Sequence, residues 1–164
     1  MTPEQTYREY VASNLDRLRR TAFLLCGDWH TADDLAATVL VKLYRHWRRA
    51  AHVEHLDAYV RRMLMRAWLD ERRRPWRRET ATAALPEPRP GVAPDADRRL
   101  AVLSLLGSLP PRRRAVLVLR YFCDLSVEET AEALGCSEGT VKSQAARALE
   151  TLRAHLSEGE ASWT

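Results

Sequence analysis

Arginines are the residues of this sequence best suited to binding a charged ligand. Residues 45–78 contain eleven arginines against four acidic residues, a net charge of +7, and the rest of the chain therefore carries −3. A guanidinium group binds phosphate in a bidentate manner, and neutralised phosphates release condensed counterions, so a dense arginine block attracts nucleic acid. The alternative is a solvated helix face, which charge runs of this kind also form.

The sequence contains no pattern typical of catalysis, of metal binding or of a bound cofactor. It lacks a glycine-rich phosphate loop and a nucleophile motif, and its five histidines have no metal-ligand spacing. Cys26, Cys123 and Cys136 are odd in number and far apart, which argues against a disulfide framework. We therefore expect no catalytic residue, no metal, no cofactor and no enzymatic activity, and a cytoplasmic protein with reduced thiols.

Residues 126–146 have the spacing of a helix-turn-helix, in which two helices cross steeply around a short turn. Ser126 and Glu129 form a capping box that begins the first helix, and Gly135 can end it. Ser137 can cap the second helix, which in this motif enters the DNA major groove with its first turns against the base edges. The predicted DNA contacts lie at the start of that helix: Ser137, Glu138, Thr140, Lys142, Ser143, Gln144 and Arg147.

Apolar residues recur at helical spacing through the first part of the chain, and no useful stretch alternates with the period of a strand. A first helix is expected to end near Cys26, and a second to begin with Thr31 as its cap. Residues 48–54 are predicted to form a loop. A third helix is expected from about His55 to Arg74, where the following proline stops it.

A proline-rich stretch divides the helices into two groups. Half of the eight prolines fall within residues 79–97, which predicts a flexible linker. The linker separates a helical domain at 1–78 from a domain at 98–156, and a tail follows at 157–164. No secretion signal and no apolar run long enough to cross a bilayer is found, so no membrane association is expected. The predicted fold class is all-α, with two small helical domains, of which the second has four helices and contains the helix-turn-helix.

Three arginines at 112–114 stand near the start of a helix in the second domain. Helices are expected there over residues 98–106 and from Pro111 to about residue 123, because proline is well placed in a first turn. The positive end of the helix dipole disfavours cations at that position. An external anion and ordinary solvation are alternative explanations for these three arginines.

The order of these parts resembles the extracytoplasmic-function sigma factors of bacterial RNA polymerase, over residues 7–156. The short length and the composition rich in alanine and arginine are most similar to the small sigma-E-type subgroup of actinobacteria. The segments that carry the resemblance are Thr21-Ala-Phe-Leu-Leu-Cys-Gly-Asp28, Ala32-Asp-Asp-Leu35 with Leu43-Tyr44, Asp57-Ala-Tyr-Val-Arg-Arg62, Leu109-Pro-Pro-Arg112 and Gly139-Thr-Val-Lys-Ser143.

The resemblance implies an alternative sigma factor that binds core RNA polymerase, at the β′ clamp and the β subunit, and directs promoter recognition and transcription initiation. The first domain would bind core polymerase and open the downstream promoter element, and the second would read the upstream element as duplex. The implied polymerase contacts on the second helix are Asp33, Asp34, Leu35, Thr38, Val41 and Lys42. The implied downstream contacts are Arg49, His52, Arg61, Arg62, Arg66, Trp68, Asp70, Arg73 and Arg74. Trp68 has the alternative interpretation of an ordinary core residue.

The chain departs from the family pattern at two places. Ala37-Thr38 stands where an amide and a carboxylate are common, and Ser143-Gln144 where Ser-Arg is common. Both changes affect expected contacts, so neither the affinity for core polymerase nor the preferred upstream element can be inferred from relatives.

An anti-sigma protein is a further partner that the family suggests. The alternative function is an autonomous helix-turn-helix repressor or activator, which would bind duplex DNA without polymerase.

Overall fold

The computed structural model describes residues 1–72 and 94–161, and every regular element within those ranges is helical. The all-α prediction is confirmed. The helices are α1 (Pro3–Cys26), α2 (Trp29–Arg45), α3 (Trp47–Ala50), α4 (Leu56–Arg72), α5 (Pro94–Gly107), α6 (Pro111–Leu117), α7 (Val127–Leu134) and α8 (Glu138–Ala161), and α6 continues into a π-helical turn (Val118–Phe122). Most of the predicted linker lies outside the described residues, and its last four positions belong to α5.

The junction between α1 and α2 is built by Gly27 and Asp28. Gly27 ends α1 in the left-handed conformation, with φ of 76°. The Asp28 carboxylate caps α2 by accepting the backbone N–H groups of His30 and Thr31 at 3.4 and 3.0 Å. The prediction that Thr31 caps this helix was therefore wrong, because Thr31 already lies in the first turn and its hydroxyl donates to the same carboxylate at 2.8 Å.

A short helix, α3, occupies the first part of the segment predicted as a loop at 48–54. It exists because Trp47 is anchored to α1: its indole N–H donates to the Thr6 hydroxyl at 3.0 Å. The Trp47 ring also lies edge-on to Tyr7, with ring centroids 5.4 Å apart, and close to Tyr10 at 5.7 Å. Residues 51–55 then form a turn before α4. The aromatic anchor thus adds a helical turn that local sequence did not indicate.

The helix-turn-helix prediction is confirmed in its local geometry. Ser126 and Glu129 exchange capping-box hydrogen bonds, both of 3.0 Å, at the start of α7. Gly135 ends α7 with φ of 65°, and the Ser137 hydroxyl accepts the Thr140 N–H at 3.1 Å at the start of α8. Ala131 and Val141 are buried together with Val116 of α6 where the helices cross.

The two groups of helices share one hydrophobic core. Buried residues of α1, α2 and α4 cluster with Ala115 of α6, Val118 and Leu119 of the π-helical turn, Leu125, and Ala133 of α7. Between the two groups, helix α4 packs mainly against α7, and α1 packs against α5, α6 and the π-helical turn. The two predicted domains are therefore joined through their interiors.

Candidate polymerase-docking and nucleic-acid interfaces

The outer face of α2 presents the predicted polymerase contacts. Five of the six are exposed, and we call them the docking face: Asp33, Asp34, Thr38, Val41 and Lys42. Leu35, the sixth, is 3% exposed and points into the core, where it supports the helix from beneath. The spacing of α2 explains this division, because positions 33, 34, 37, 38, 41 and 42 lie on the side opposite the buried stripe.

One carboxylate of the docking face is held by a neighbouring helix. The Arg19 guanidinium of α1 contacts both oxygens of Asp33, at 2.6 and 3.3 Å, and this hydrogen bonding holds the pKa of Asp33 below its usual range. Asp34 carries no such partner among the described arginines and lies 3.8 Å from Nε2 of His30. The two aspartates are thus unequal, with one fixed in orientation and one loosely held.

An exposed tryptophan extends this surface, and sequence reasoning did not select it. Trp29 is 45% exposed and stacks on Phe23, with ring centroids 4.2 Å apart and planes 12° apart. Arg19 lies over the same indole at 5.2 Å from the ring centroid. The sequence signal for this residue was a large aromatic side chain at the break between two helices, next to a capping residue. Its exposure could not be predicted, because it depends on the antiparallel packing of α1 and α2.

The predicted downstream contacts divide into exposed and buried groups. Arg62, Arg66 and Asp70 are exposed at four-residue spacing on one side of α4, and we call this set the arginine stripe. Arg49 of α3 and His52 of the following turn are also exposed. Arg73 and Arg74 lie outside the described residues.

Two predicted contacts on α4 face the interior. Trp68 is 2% exposed and packs within the shared core, with the Arg72 guanidinium 4.9 Å from its ring centroid. In this arrangement its indole cannot stack on a base, and the core interpretation fits the structure. Arg61 is half-buried, and its Nε lacks a hydrogen-bond partner within residues 1–72 and 94–161.

The predicted upstream contacts lie on the first three turns of α8. Ser137, which caps the helix, is exposed, as are Glu138, Lys142, Ser143 and Arg147. Thr140 and Gln144 are half-buried. The Gln144 side-chain oxygen accepts a hydrogen bond from Nε of Arg113 at 3.1 Å, so this glutamine is positioned by α6.

The half-buried side of α8 lies next to α4. A small void is bounded by Leu69 of α4, by Arg112 and Val116 of α6, by the turn of the helix-turn-helix, and by Thr140 and Gln144 of α8. The end of α4 therefore sits beside two side chains predicted to read bases. A second, larger groove of about 480 Å³ lies between α1, α4 and the π-helical turn, with Arg17, Arg20 and Arg61 among its lining.

The arginines at 112–114 have three different environments. Arg112 is exposed and Arg113 binds Gln144, whereas Arg114 is only 5% exposed. Nε of Arg114 donates to the backbone oxygen of Leu24 in α1 at 2.8 Å. Neither an external anion nor solvation accounts for Arg114, because its acceptor is the carbonyl end of a helix in the other half of the chain.

The three cysteines are free thiols. Burial raises the pKa of Cys26 to about 12, against the opposing effect of the nearby guanidinium groups of Arg114 and Arg72. Burial also raises the pKa of Cys123, whose sulfur lies 4.0 Å from the Thr21 hydroxyl oxygen. Thiols of this kind remain protonated at neutral pH and react slowly.

Residues 1–72 and 94–161 contain no cluster of metal-binding side chains and no helix able to span a membrane.

Two family descriptions match the chain: "Sigma-70 region 2" over residues 10–78 and "Sigma-70, region 4" over residues 99–152. The RNA polymerase sigma-E factors of Streptomyces avermitilis and Streptomyces coelicolor are each 40% identical to it over 152 residues. These alignments cover 92% of this chain and 84% and 85% of the two relatives. The chain therefore belongs to the sigma-70 family of RNA polymerase sigma factors. Within that family it is similar to the sigma-E factors of actinobacteria, which confirms the resemblance seen in the sequence.

Solved structures support the same fold. The sigma factor RpoE of Bartonella quintana, in complex with the anti-sigma factor NepR, matches with a TM-score of 0.74 at 21% identity, covering 93% of this chain and 98% of that one. CnrH, in complex with the cytosolic domain of CnrY, matches with a TM-score of 0.67 at 23% identity, covering 94% and 90%.

Proposed function

We propose that this sigma factor binds core RNA polymerase, directs it to promoters and takes part in strand opening, while contributing no catalysis of its own. The observation that carries the proposal is the presence, in one chain of this family, of three separate surfaces. These are the docking face of α2, the arginine stripe of α4 and the outward polar side of α8. A conventional regulator needs only the last of them.

The docking face is the proposed contact with the β′ clamp and the β subunit. Asp33 and Asp34 supply negative charge, Val41 supplies an exposed apolar side chain, and Lys42 lies one turn further along. Ala37 and Thr38 give this face a smaller and less polar centre than is common in the family, so charge is concentrated at Asp33 and Asp34. Rim charges of this kind steer association and set its specificity.

The arginine stripe and its neighbours are the proposed downstream contacts. Arg62 and Arg66 would bind the phosphate backbone, together with Arg49, His52 and the undescribed Arg73 and Arg74, while Asp70 would contact a base. Trp68 would hold α4 in position from the core side. Strand opening also requires a base to leave the stack, which this basic surface would favour by binding the separated strand.

The start of α8 is the proposed upstream contact. Lys142, Ser143 and Arg147 would contact phosphates or base edges, with Thr140 and Gln144 on the adjacent side of the helix. The first proposed domain is 1–78, the second is 98–156, and the segment between them joins the two promoter contacts. An anti-sigma protein is the proposed regulator, since the structural neighbour RpoE was solved in complex with the anti-sigma factor NepR.

Co-elution with sigma-free core polymerase, with a primary sigma factor as competitor, tests this function. The proposal predicts a stoichiometric complex that the competitor displaces, and transcription that depends on the added chain. Absence of a complex, together with tight binding of the free chain to duplex DNA, would contradict it and favour the autonomous regulator. The Arg62→Ala, Arg66→Ala variant should impair open-complex formation while it leaves the core complex nearly intact.

A further inference from the structure

Position 144 is one of the two places where the chain departs from the pattern of its family, with glutamine where arginine is common. A guanidinium is nevertheless present at this position, because a different helix supplies it. Nε of Arg113 in α6 donates a hydrogen bond to the Gln144 side-chain oxygen in α8 at 3.1 Å. Arg113 is not among the contacts proposed above, although this bond holds its side chain against the start of α8.

The chemistry of the two groups fixes the orientation of the Gln144 amide. A guanidinium carries only hydrogen-bond donors, whereas a side-chain amide has an accepting oxygen and a donating NH₂ group. Nε of Arg113 can therefore bond only to the amide oxygen, which turns the NH₂ group of Gln144 away from α6. Both side chains are half-buried, so they have fewer conformations to choose from than exposed side chains have.

The remaining polar atoms of this pair are available to a ligand. The Gln144 amide nitrogen and the terminal nitrogens of Arg113 have no hydrogen-bond partner within residues 1–72 and 94–161. They are also absent from the buried atoms that lack a partner in those ranges, so they are in contact with solvent. All of these atoms are donors. The pair therefore presents a positively charged edge that can donate hydrogen bonds but cannot accept them through the engaged oxygen.

This edge lies on the part of α8 that the helix-turn-helix places against DNA. Thr140, Gln144 and Arg147 share one side of the helix, because residues three and four apart lie above one another. Lys142 and Ser143, which precede Gln144, are exposed. The second helix of this motif enters the major groove with its first turns against base edges. The donors of Arg113 and Gln144 are thus placed next to the residues proposed to read the upstream element.

The bases differ in how they match an edge made of donors. In the major groove guanine offers two acceptors, N7 and O6, whereas adenine offers the acceptor N7 beside the donor N6, and cytosine offers the donor N4. A glutamine with a free amide reads adenine, since it donates to N7 and accepts from N6. Gln144 cannot do so while its oxygen is bonded to Arg113. An amino group of adenine or cytosine would instead face another donor, so guanine is the best match.

We propose that Arg113 and Gln144 form one reading unit, which presents only hydrogen-bond donors and selects guanine at one position of the upstream element. Arg113 is a positioning residue for the Gln144 amide and adds its own donors to the same edge. The inference rests on the proposed function and deepens it, because it names the base that this part of α8 selects.

The experiment uses the full chain bound to core polymerase. The unmodified complex first selects a duplex from a randomised pool. Each position of that duplex is then replaced in turn by the other base pairs, and the affinity of the complex for every duplex is measured. Gln144→Ala identifies the position that the unit reads, because discrimination between bases should disappear at that position alone.

Arg113→Met separates the proposed role from a simple loss of charge. At the position identified, the unmodified chain should favour guanine over adenine by at least roughly fivefold. Arg113→Met should abolish or reverse this preference, because the released oxygen of Gln144 can accept from adenine N6. Arg113→Lys retains a cationic donor and should keep most of the preference. The matched control is Arg112→Met, which removes the same charge from an exposed neighbour and should leave the preference unchanged.

The proposal is overturned if Arg113→Met lowers the affinity by one factor for all bases, which indicates a phosphate contact. It is also overturned if Gln144→Ala changes no base preference, or if the position it identifies favours any base other than guanine. Co-elution with core polymerase shows that each variant is folded; if Arg113→Met fails to co-elute, Gln144→Ala and the unmodified chain still decide the outcome. If the unmodified chain binds no core polymerase and selects no duplex, the proposed function itself fails, and this result is distinct from the others.

Discussion

The docking face of α2 and the DNA-facing side of α8 differ in how the free chain presents them. On α2 the polymerase contacts stand clear of the boundary between the halves, and Arg19 fixes one of them, Asp33, in place. On α8 the residues nearest α4 are half-buried, and Gln144 is already bonded to Arg113. The docking face is fully exposed, whereas the side of α8 next to α4 is partly covered by the packing between the two halves. The comparison shows that exposure of the proposed contacts depends on how their helices pack and not on their sequence spacing alone.

The largest effect is expected from the arginine stripe. Arg62→Ala with Arg66→Ala removes two exposed cations that the proposal places on backbone phosphates. We expect open-complex formation to fall by roughly tenfold to a hundredfold and the salt slope of promoter binding to decrease by about two. Permanganate reactivity of unpaired thymines measures opening, and co-elution measures core binding. Arg8→Ala, an exposed arginine of α1, is the matched control; an equal loss of opening and core binding would indicate a folding defect instead.

The second effect concerns Arg114, which joins the halves. Replacement by Met retains much of the apolar stem but removes the hydrogen bond to Leu24, so the packing between the halves should weaken. We expect the free energy of unfolding to fall by about 1–3 kcal/mol, as for loss of a hydrogen bond to a charged group. Denaturant unfolding at pH 7 provides the measurement, and Arg112→Met on the exposed side of α6 is the control. An unchanged free energy of unfolding would contradict this role of Arg114.

The third effect separates the two aspartates of the docking face. Asp33→Asn with Asp34→Asn should weaken core binding by roughly tenfold, as expected for loss of complementary charge at an interface. Arg19→Ala removes the cation that holds Asp33 and should leave core binding unchanged or make it tighter. Competition against a primary sigma factor measures both. If Arg19→Ala weakens core binding as much as the double variant does, Asp33 acts through its ion pair and not as a direct contact.

The smallest effect is structural and comes from the cap of α2. Asp28→Ala should lower the free energy of unfolding by about 1 kcal/mol, since the cap satisfies otherwise orphan N–H groups. Hydrogen bonds from Thr31 and His30 lower the pKa of Asp28 in the folded chain. The stabilisation by this cap is therefore complete above the ordinary carboxyl pKa of about 3.9 and is lost as the pH falls through the lower pKa of the folded state. Denaturant unfolding of the variant and of the unmodified chain at pH 7 and at pH 3 checks this. A difference in the free energy of unfolding that is larger at pH 3 than at pH 7 would contradict the assignment.

Local features of the fold could be predicted because residues three or four apart determine them. The capping box at Ser126, the end of α7 at Gly135 and the cap at Ser137 all follow from neighbouring residues. The cap of α2 was misassigned because Asp28 and Thr31, three residues apart, are both good capping residues. The short helix α3 escaped prediction because its anchor, Trp47, bonds to Thr6 far away in the sequence.

The candidate site was only partly accessible to sequence reasoning for a similar reason. The exposed polar positions of α2, α4 and α8 could be identified from helical spacing and from the family resemblance. The burial of Trp68 and the bond from Arg114 to Leu24 depend on packing between distant halves of the chain, and no short-range pattern encodes it. The packing between the two halves therefore becomes visible only when the helices are assembled.

The most direct test is the distance between the two halves of the free chain in solution. Spin labels at Asp16 of α1 and Tyr121 of the π-helical turn, both exposed and outside the proposed contacts, report this distance by pulsed electron resonance. The account predicts one short and narrow distance, because the two halves share a core. A long or broad distribution would contradict it.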